Sequence, residues 1–249
     1  MVWPSFRNRY NRSCKLKLWF GSDKAASLIM MASQWDNNRR FSLGVAYYGI
    51  FVNFLHASIY WTSLWPYLIL IDPSSTETLF GLIYASYFVG RAMSAPLFGH
   101  CYNKSKNAKG PIVVGYSICV AGNILMCCVE NLAEFDRRWL LLLARLVTGI
   151  GCGASGVMLA YMAHSTTNEE RIKVMTLQSA VLSFGVLIGP GLQTLFVPVG
   201  YPGYTFMRLF LNMYTMPAIL CSFLAILGIV LSVICCKEYN VSVEKSYDN

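Results

Sequence analysis

The chain has 249 residues, of which 55% are hydrophobic and only 13% charged, about half the charged fraction of a soluble protein. Its mean hydropathy is +0.47, a balance that excludes a water-soluble globular domain. A net charge of +8 in a soluble chain would suggest nucleic acid as a partner; here the basic residues sit between long apolar runs, and the expected surroundings are lipid, with no nucleic acid.

Six apolar runs are long enough to cross a bilayer, which takes about 20 residues each. They cover Phe41–Ile71, Thr78–Phe98, Pro111–Val129, Trp139–Ala163, Ile172–Val197 and Leu211–Cys236. The predicted fold is an all-α polytopic membrane protein with a transmembrane domain over 41–236, a basic, disordered tail over 1–40 and a second tail over 237–249. Fifteen of the 20 Lys and Arg fall on one side of these runs, in the two tails and in the loops holding Lys104, Lys106, Lys109, Arg171 and Lys173. Only Arg137, Arg138 and Arg208 fall on the other side, so the positive-inside rule places both termini in the cytoplasm. The short apolar stretch at 25–32 has no cleavage site and is followed by Arg39-Arg40, which reads against a cleaved signal.

The first run carries Asn53, His56 and Tyr60 at helical spacing on one face. That face either lines a polar pathway or hydrogen-bonds to neighbouring helices. Pro66 is expected to bend the helix near its outer end, and Asp72 and Glu77 form an acidic outer loop without basic residues. The second run holds Arg91 at mid-span, where a lipid-facing arginine is expensive, so a cavity-lining position is favoured. Gly99 is expected to turn the chain into the cytoplasmic loop with its three lysines. In the next outer loop, Glu134 and Asp136 balance Arg137 and Arg138.

The fourth run is LLLLARLVTGIGCGASGVMLAYMAH after Trp139, apolar except for Arg145. An arginine inside such a helix costs roughly 2.5–3.5 kcal/mol at mid-bilayer; it is kept either to present charge to a pathway or to hold the bundle together. Gly149, Gly151 and Gly153 give this helix a close-packing face, expected to meet Gly185 and Gly189 of the fifth run. Asn53 or Gln178 would serve as a neutral partner for Arg145. Ser165 to Asn168 are N-cap candidates for the fifth helix, with Glu169 and Glu170 in its first turn. Pro190 within that helix is tolerated where neighbours serve the freed carbonyl.

No catalytic motif, metal-ligand spacing or cofactor loop is present, so the expectation is a protein that is not an enzyme and holds no metal or cofactor. Cysteines within the runs read as small hydrophobes, while Cys235 and Cys236 at the inner end of the sixth run fit either palmitoylation or a plain helix end.

Pro96 and Pro190 lie 94 residues apart, in the second helix of each half of the six, a faint sign of two inverted three-helix repeats. Three stretches resemble the major facilitator superfamily. Gly99-x-x-x-Asn103-Lys104 occupies the family's G-x-x-x-D-R-x-G-R-K loop signature, with Lys106 where the family has glycine. Arg145-x-x-x-Gly149-x-Gly151 matches its R-x-x-x-G-x-G motif, and Gly185-x-x-x-Gly189-Pro190 matches its G-x-x-x-G-P motif. WPYLILIDPSSTETLFGLIYASYFVG, LARLVTGIGCG and LNMYTMPAIL resemble lysosomal members of the family. The resemblance implies a secondary transporter of a small solute, anionic if Arg145 serves it, working by alternating access in a lysosomal or late-endosomal membrane. It also implies that runs one and four line the pathway with run five beside them, and that a second six-helix half or a second copy completes the fold. A non-transporting membrane protein that pairs with full-length relatives, and an anion channel, are the alternatives.

Overall fold

The structure is a computed structural model that describes residues 22–131, 134–206 and 209–235. Helix α1 (Ser22–Ser58) is followed by α2 (Leu64–Ile71), α3 (Glu77–Ser105), α4 (Lys109–Cys127), α5 (Glu134–Cys152), α6 (Ser155–His164), α7 (Asn168–Phe196) and α8 (Met216–Cys235). Between α7 and α8 a small antiparallel ribbon, β1 (Tyr204–Phe206) with β2 (Leu209–Leu211), pairs Thr205 with Phe210. The all-helical expectation holds for the bundle, and this short hairpin sits at a place where β-branched and aromatic residues follow Pro202 and Gly203.

Helix α1 begins at Ser22, so residues 22–40 of the expected disordered tail are helical. The Ala, Leu and Met of the 25–32 stretch are strong helix formers, with neither Gly nor Pro to interrupt them before Gly44. The residues before Ser22 and after Cys235 lie outside the described ones, the second tail among them.

Two of the expected helices are broken. The first run divides at 59–63, where Trp61 N–H bonds Ser58 O in a tight turn before α2 restarts. Pro66 falls in the first turn of α2, where its missing N–H removes no intrahelical bond; the bend therefore precedes the proline. The fourth run divides between Cys152 and Ser155, where Gly153 N–H is shared by Gly149 O and Ile150 O at 3.2 Å each. Glycines on both sides of the break weaken the helical turn there.

A further correction concerns Gly99. It lies inside α3, which continues to Ser105 and ends at Lys106 in the left-handed conformation, φ +53°. Asn103 and Lys104 therefore stand on the last helical turn and not in a loop, because residues 100–105 include no helix breaker.

By length and composition, α4, the α5–α6 stretch (Asp136–His164), α7 and α8 are apolar enough to cross a membrane. Helix α5 packs between α3 and α4; α4 also packs along α8; α1 lies against α6, α7 and α8. Among the described residues three apolar clusters result: one contains Tyr67, Leu68, Ile71, Ile83 and Leu141, a second Ile50, Tyr116, Met158 and Tyr161, and a small third Ala57, Tyr87, Cys119 and Cys152.

This packing corrects the pairing expected of the glycines. A Cβ on Gly149 would run into the backbone carbonyl of Tyr87 in α3, and one on Gly153 into Ser94 of the same helix. Gly185 faces Phe51 and Phe54, and Gly189 faces Ser58 and Ile59, all of the first run. The two glycine faces serve two different crossings, α5 on α3 and α7 on α1.

Candidate functional site

Arg145 is 2% exposed. Its guanidinium carbon lies 4.6 Å from the ring centroid of Tyr60 and 4.8 Å from that of Tyr87. The rings come from the break after α1 and from α3, so three elements converge on one cation. Such contacts are worth about 0.5–2 kcal/mol each, more when desolvated, enough to offset a large part of the burial cost. They satisfy the charge but not the hydrogens: Nε of Arg145 has no acceptor. Among the described residues no carboxylate reaches it. The narrow recess beside it, lined by Tyr60, Asn123, Met126, Ala144, Arg145 and Thr148, is too tight in this conformation to hold a water molecule. The hydroxyl of Tyr60 is likewise buried without a partner, and that of Tyr87 lies beside the Cys152 thiol.

His56, 1% exposed, joins this centre through Asn123 of α4. Its Nδ1 is 3.1 Å from Val52 O and its Nε2 is 3.0 Å from Asn123 Nδ2. A carbonyl can only accept, so Nδ1 carries the hydrogen and Nε2 accepts from the amide. Asn53 lies one turn away: its Nδ2 donates to Gly49 O at 2.9 Å and its Oδ1 has no donor. Asn53 faces Met158 of α6 and not Arg145.

Arg91 occupies a separate position. Its Nη2 donates to Ser155 Oγ at 3.0 Å, at the start of α6, and its guanidinium lies over the Phe54 ring at 4.8 Å. Gln178 stands half-exposed on α7, and no hydrogen bond joins it to Arg145. The structure therefore brings Tyr60, His56 and Arg145 together and leaves Asn53, Arg91 and Gln178 outside the recess. Asn53 and Gln178 are corrected as partners of the arginine; aromatic faces take that place. Asn123 and Tyr87 belong to the centre and were not singled out from sequence. A polar residue in the otherwise apolar third run was the signal for Asn123; nothing marks Tyr87.

Thr167 caps α7, its Oγ1 accepting from Glu170 N–H at 3.4 Å. Arg39 pairs with Glu170 at 2.9 Å and ties α1 to α7. Arg138 donates to Asp72 at 3.1 Å, so the acidic loop after α2 finds a cation on α5. Asp72 also accepts from the hydroxyl and backbone N–H of Ser74; these bonds, the hydroxyl first, and the nearby Arg138 hold its carboxyl below the ordinary value of 3.8. Glu130 accepts from Asn212 Nδ2 at 2.7 Å, and Asn212 Oδ1 in turn receives the N–H groups of Tyr214 and Thr215 ahead of α8. Burial raises the Glu130 carboxyl above its ordinary 4.5, against the opposing pull of Asn212, Tyr67 and Arg137.

Comparison with known proteins follows the same lines. Residues 46–240 match the family model described as the Major Facilitator Superfamily. The chain is 33% identical over 206 residues to major facilitator superfamily domain-containing protein 8 of Xenopus laevis, an alignment covering 82% of this chain and 40% of that protein. The chain thus spans less than half the length of that relative. The crystal structure of a D-xylose-proton symporter superposes with a TM-score of 0.65 at 14% identity, over 83% of this chain and 51% of that one; this likeness concerns the fold.

Proposed function

The chain belongs to the major facilitator superfamily, and from that premise we propose that it supplies six membrane helices of a secondary transporter working by alternating access. The helices are α1 with α2, α3, α4, α5 with α6, α7 and α8, arranged as two inverted three-helix repeats with both termini in the cytoplasm. The equal length of α3 and α7, 29 residues each, and the proline inside each support the repeat. A second six-helix unit, either a further half or a second copy, covers the faces that carry Met93, Leu97, Phe184 and Leu187, all more than half exposed. The resemblance quoted above supports a lysosomal or late-endosomal membrane.

The solute is small and carries an anionic group. The observation that carries this reading is Arg145: a buried guanidinium held by two rings, with an unpaired N–H and, among the described residues, no carboxylate beside it. A charge so placed has its position fixed and its hydrogen-bonding capacity free, as an anion site requires. Its planar fork suits a carboxylate or similar group better than an ammonium would.

The test is charge movement in proteoliposomes after jumps of sodium chloride or sodium glucuronate. Arg145→Gln should abolish the response and Arg145→Lys reduce it about tenfold, a loss of about 1.4 kcal/mol, while the size-exclusion profile stays unchanged. Normal responses from folded Arg145→Gln would remove Arg145 from the pathway. No response from the unaltered chain would favour a non-transporting membrane protein.

A further inference from the structure

We propose that Cys119 of α4 and Cys152 of α5 are a modification site, a dithiol that hydrogen peroxide converts to a disulfide, and that this bond pins the break between α5 and α6 onto α4.

The two sulfurs lie 3.6 Å apart, and neither residue is more than 3% exposed. A close helix crossing brings them together: a Cβ on Gly151 would meet Gly115 O and the backbone of Cys119, and one on Gly115 would meet Gly151 O. Bonded sulfurs stand about 2.05 Å apart, so this pair has about 1.5 Å to close. The surroundings are uncharged. The Cys119 thiol donates to Thr148 O at 3.7 Å, and the Tyr87 hydroxyl of α3 lies beside the Cys152 sulfur. Two alanines would fill this wall as well as two thiols do. Sulfur facing sulfur across the crossing adds a chemistry that packing leaves unused.

The position gives that chemistry a consequence. Cys152 is the last residue of α5, and the backbone bonds after it are shared or long. Gly153 N–H is divided between Gly149 O and Ile150 O, Ala154 N–H reaches Gly151 O at 3.3 Å, and Gly156 N–H reaches Gly153 O at 3.4 Å. A stretch held this loosely opens more readily than the helices on either side of it. Hydrogen peroxide is uncharged and near water in size, so a brief opening admits it.

The reaction balances within the pair and the oxidant. One thiol sulfur attacks a peroxide oxygen and the O–O bond breaks. That sulfur becomes a sulfenic acid, and its proton leaves with the other oxygen as water. The second sulfur displaces the sulfenic hydroxyl, which takes the second thiol proton and leaves as water. Two S–H bonds and one O–O bond are lost, one S–S bond is gained, and peroxide is reduced to two waters.

The bond is read by mass spectrometry of the detergent-solubilised whole chain after millimolar hydrogen peroxide, alkylation and tryptic digestion. A reducible link should join the peptides 110–137 and 146–171. It should vanish in Cys119→Ser and persist in Cys127→Ser and Cys221→Ser. Because the unaltered chain supplies the main result, a variant that does not fold leaves the test intact. No link in the unaltered chain, or sulfinic acid at Cys152 in its place, overturns the site. A link that persists in Cys119→Ser assigns it to another cysteine and overturns it too. Hydrogen exchange reads the pin: oxidation should slow the amides of Gly153 and Ala154 about tenfold, and unchanged exchange overturns that consequence. The effect on flux rests on the transport reading above. In the proteoliposome assay, peroxide should lower the response about fivefold and dithiothreitol restore it, as expected where a helix break moves during turnover. A full response from linked protein overturns the pin as a control of transport. No response before oxidation is a failure of the transport reading, while the disulfide stands on its mass.

Discussion

At φ +53°, the Cβ of Lys106 crowds its own carbonyl oxygen, which costs about 1 kcal/mol for an L-residue. The family signature places glycine at this position, and the turn it makes explains why: the Lys106 N–H closes α3 on Tyr102 O at 2.8 Å, and a left-handed residue must follow. Lys106→Gly should raise the thermal midpoint in detergent slightly, by about 0.5 kcal/mol once glycine's greater unfolded freedom is subtracted. Lys106→Val should lower it by about 1 kcal/mol. The reverse ranking would remove the turn from the account. At this scale the sequence was informative wherever a polar residue interrupted an apolar run. Arg145, Tyr60 and His56 could be picked out in that way, and they do meet. Asn53 and Gln178 satisfied the same criterion and point elsewhere, since position along a helix does not say which neighbour crosses it there. Tyr87 was unreadable because an aromatic residue in an apolar helix is ordinary.

The small residues of a helix state that something comes close, but not what. Gly149 and Gly151 belong to the crossings of α5 with α3 and α4, whereas Gly185 and Gly189 belong to the crossing of α7 with α1. The breaks at 59–63 and 153–154 were equally illegible as positions, because each run is continuous in hydropathy and only its hydrogen bonding divides. A leucine at Gly149 would have to displace the backbone of α3 at Tyr87, so Gly149→Leu should unfold the bundle or cut its folded yield severalfold. Gly189→Leu should open α7 from α1, at Ser58 and Ile59, while leaving α5 on α3. Cross-linking of cysteine pairs across each crossing separates the two, with the exposed Leu227→Ala as the comparison. Loss of the α3–α5 cross-link in Gly189→Leu alone would contradict this assignment of faces.

At the scale of the whole molecule, the proposed orientation makes three sequons cytoplasmic. Asn103 stands exposed on the last turn of α3, while Asn11 and Asn240 lie outside the described residues. None should carry glycan, and a glycosidase-sensitive mass mapped to any of them would invert the topology. The Glu130 and Asp72 carboxyls add a pH dependence of two opposite signs. The folded chain holds the proton of Glu130 more tightly than the unfolded chain does. Its stabilisation is full below about 4.5 and is lost as pH rises through the raised value. Asp72 has the opposite sign: its contribution is present above 3.8 and is lost as pH falls through the lowered value. As pH falls toward 4.5 the Glu130 effect should therefore raise stability, and Glu130→Gln should flatten that rise. An unchanged profile in Glu130→Gln would show that another group is responsible. The helical membrane plan itself was readable because a bilayer demands length and apolarity together, and four stretches of the described residues meet that demand. The Glu130 to Asn212 link was not, since it joins residues 82 positions apart through loops whose composition carries no period.

The sandwich around Arg145 also has an order in time. Synthesis proceeds from the amino end, so Tyr60 and Tyr87 are made before the arginine they hold. When α5 leaves the ribosome, its costly residue meets a socket whose two walls are already in place. An arginine whose partners lay downstream would have to wait in lipid for them. In this chain the vulnerable stage of insertion is short, and a defect in the first two runs would surface later, as a fourth run that fails to stay in the bilayer.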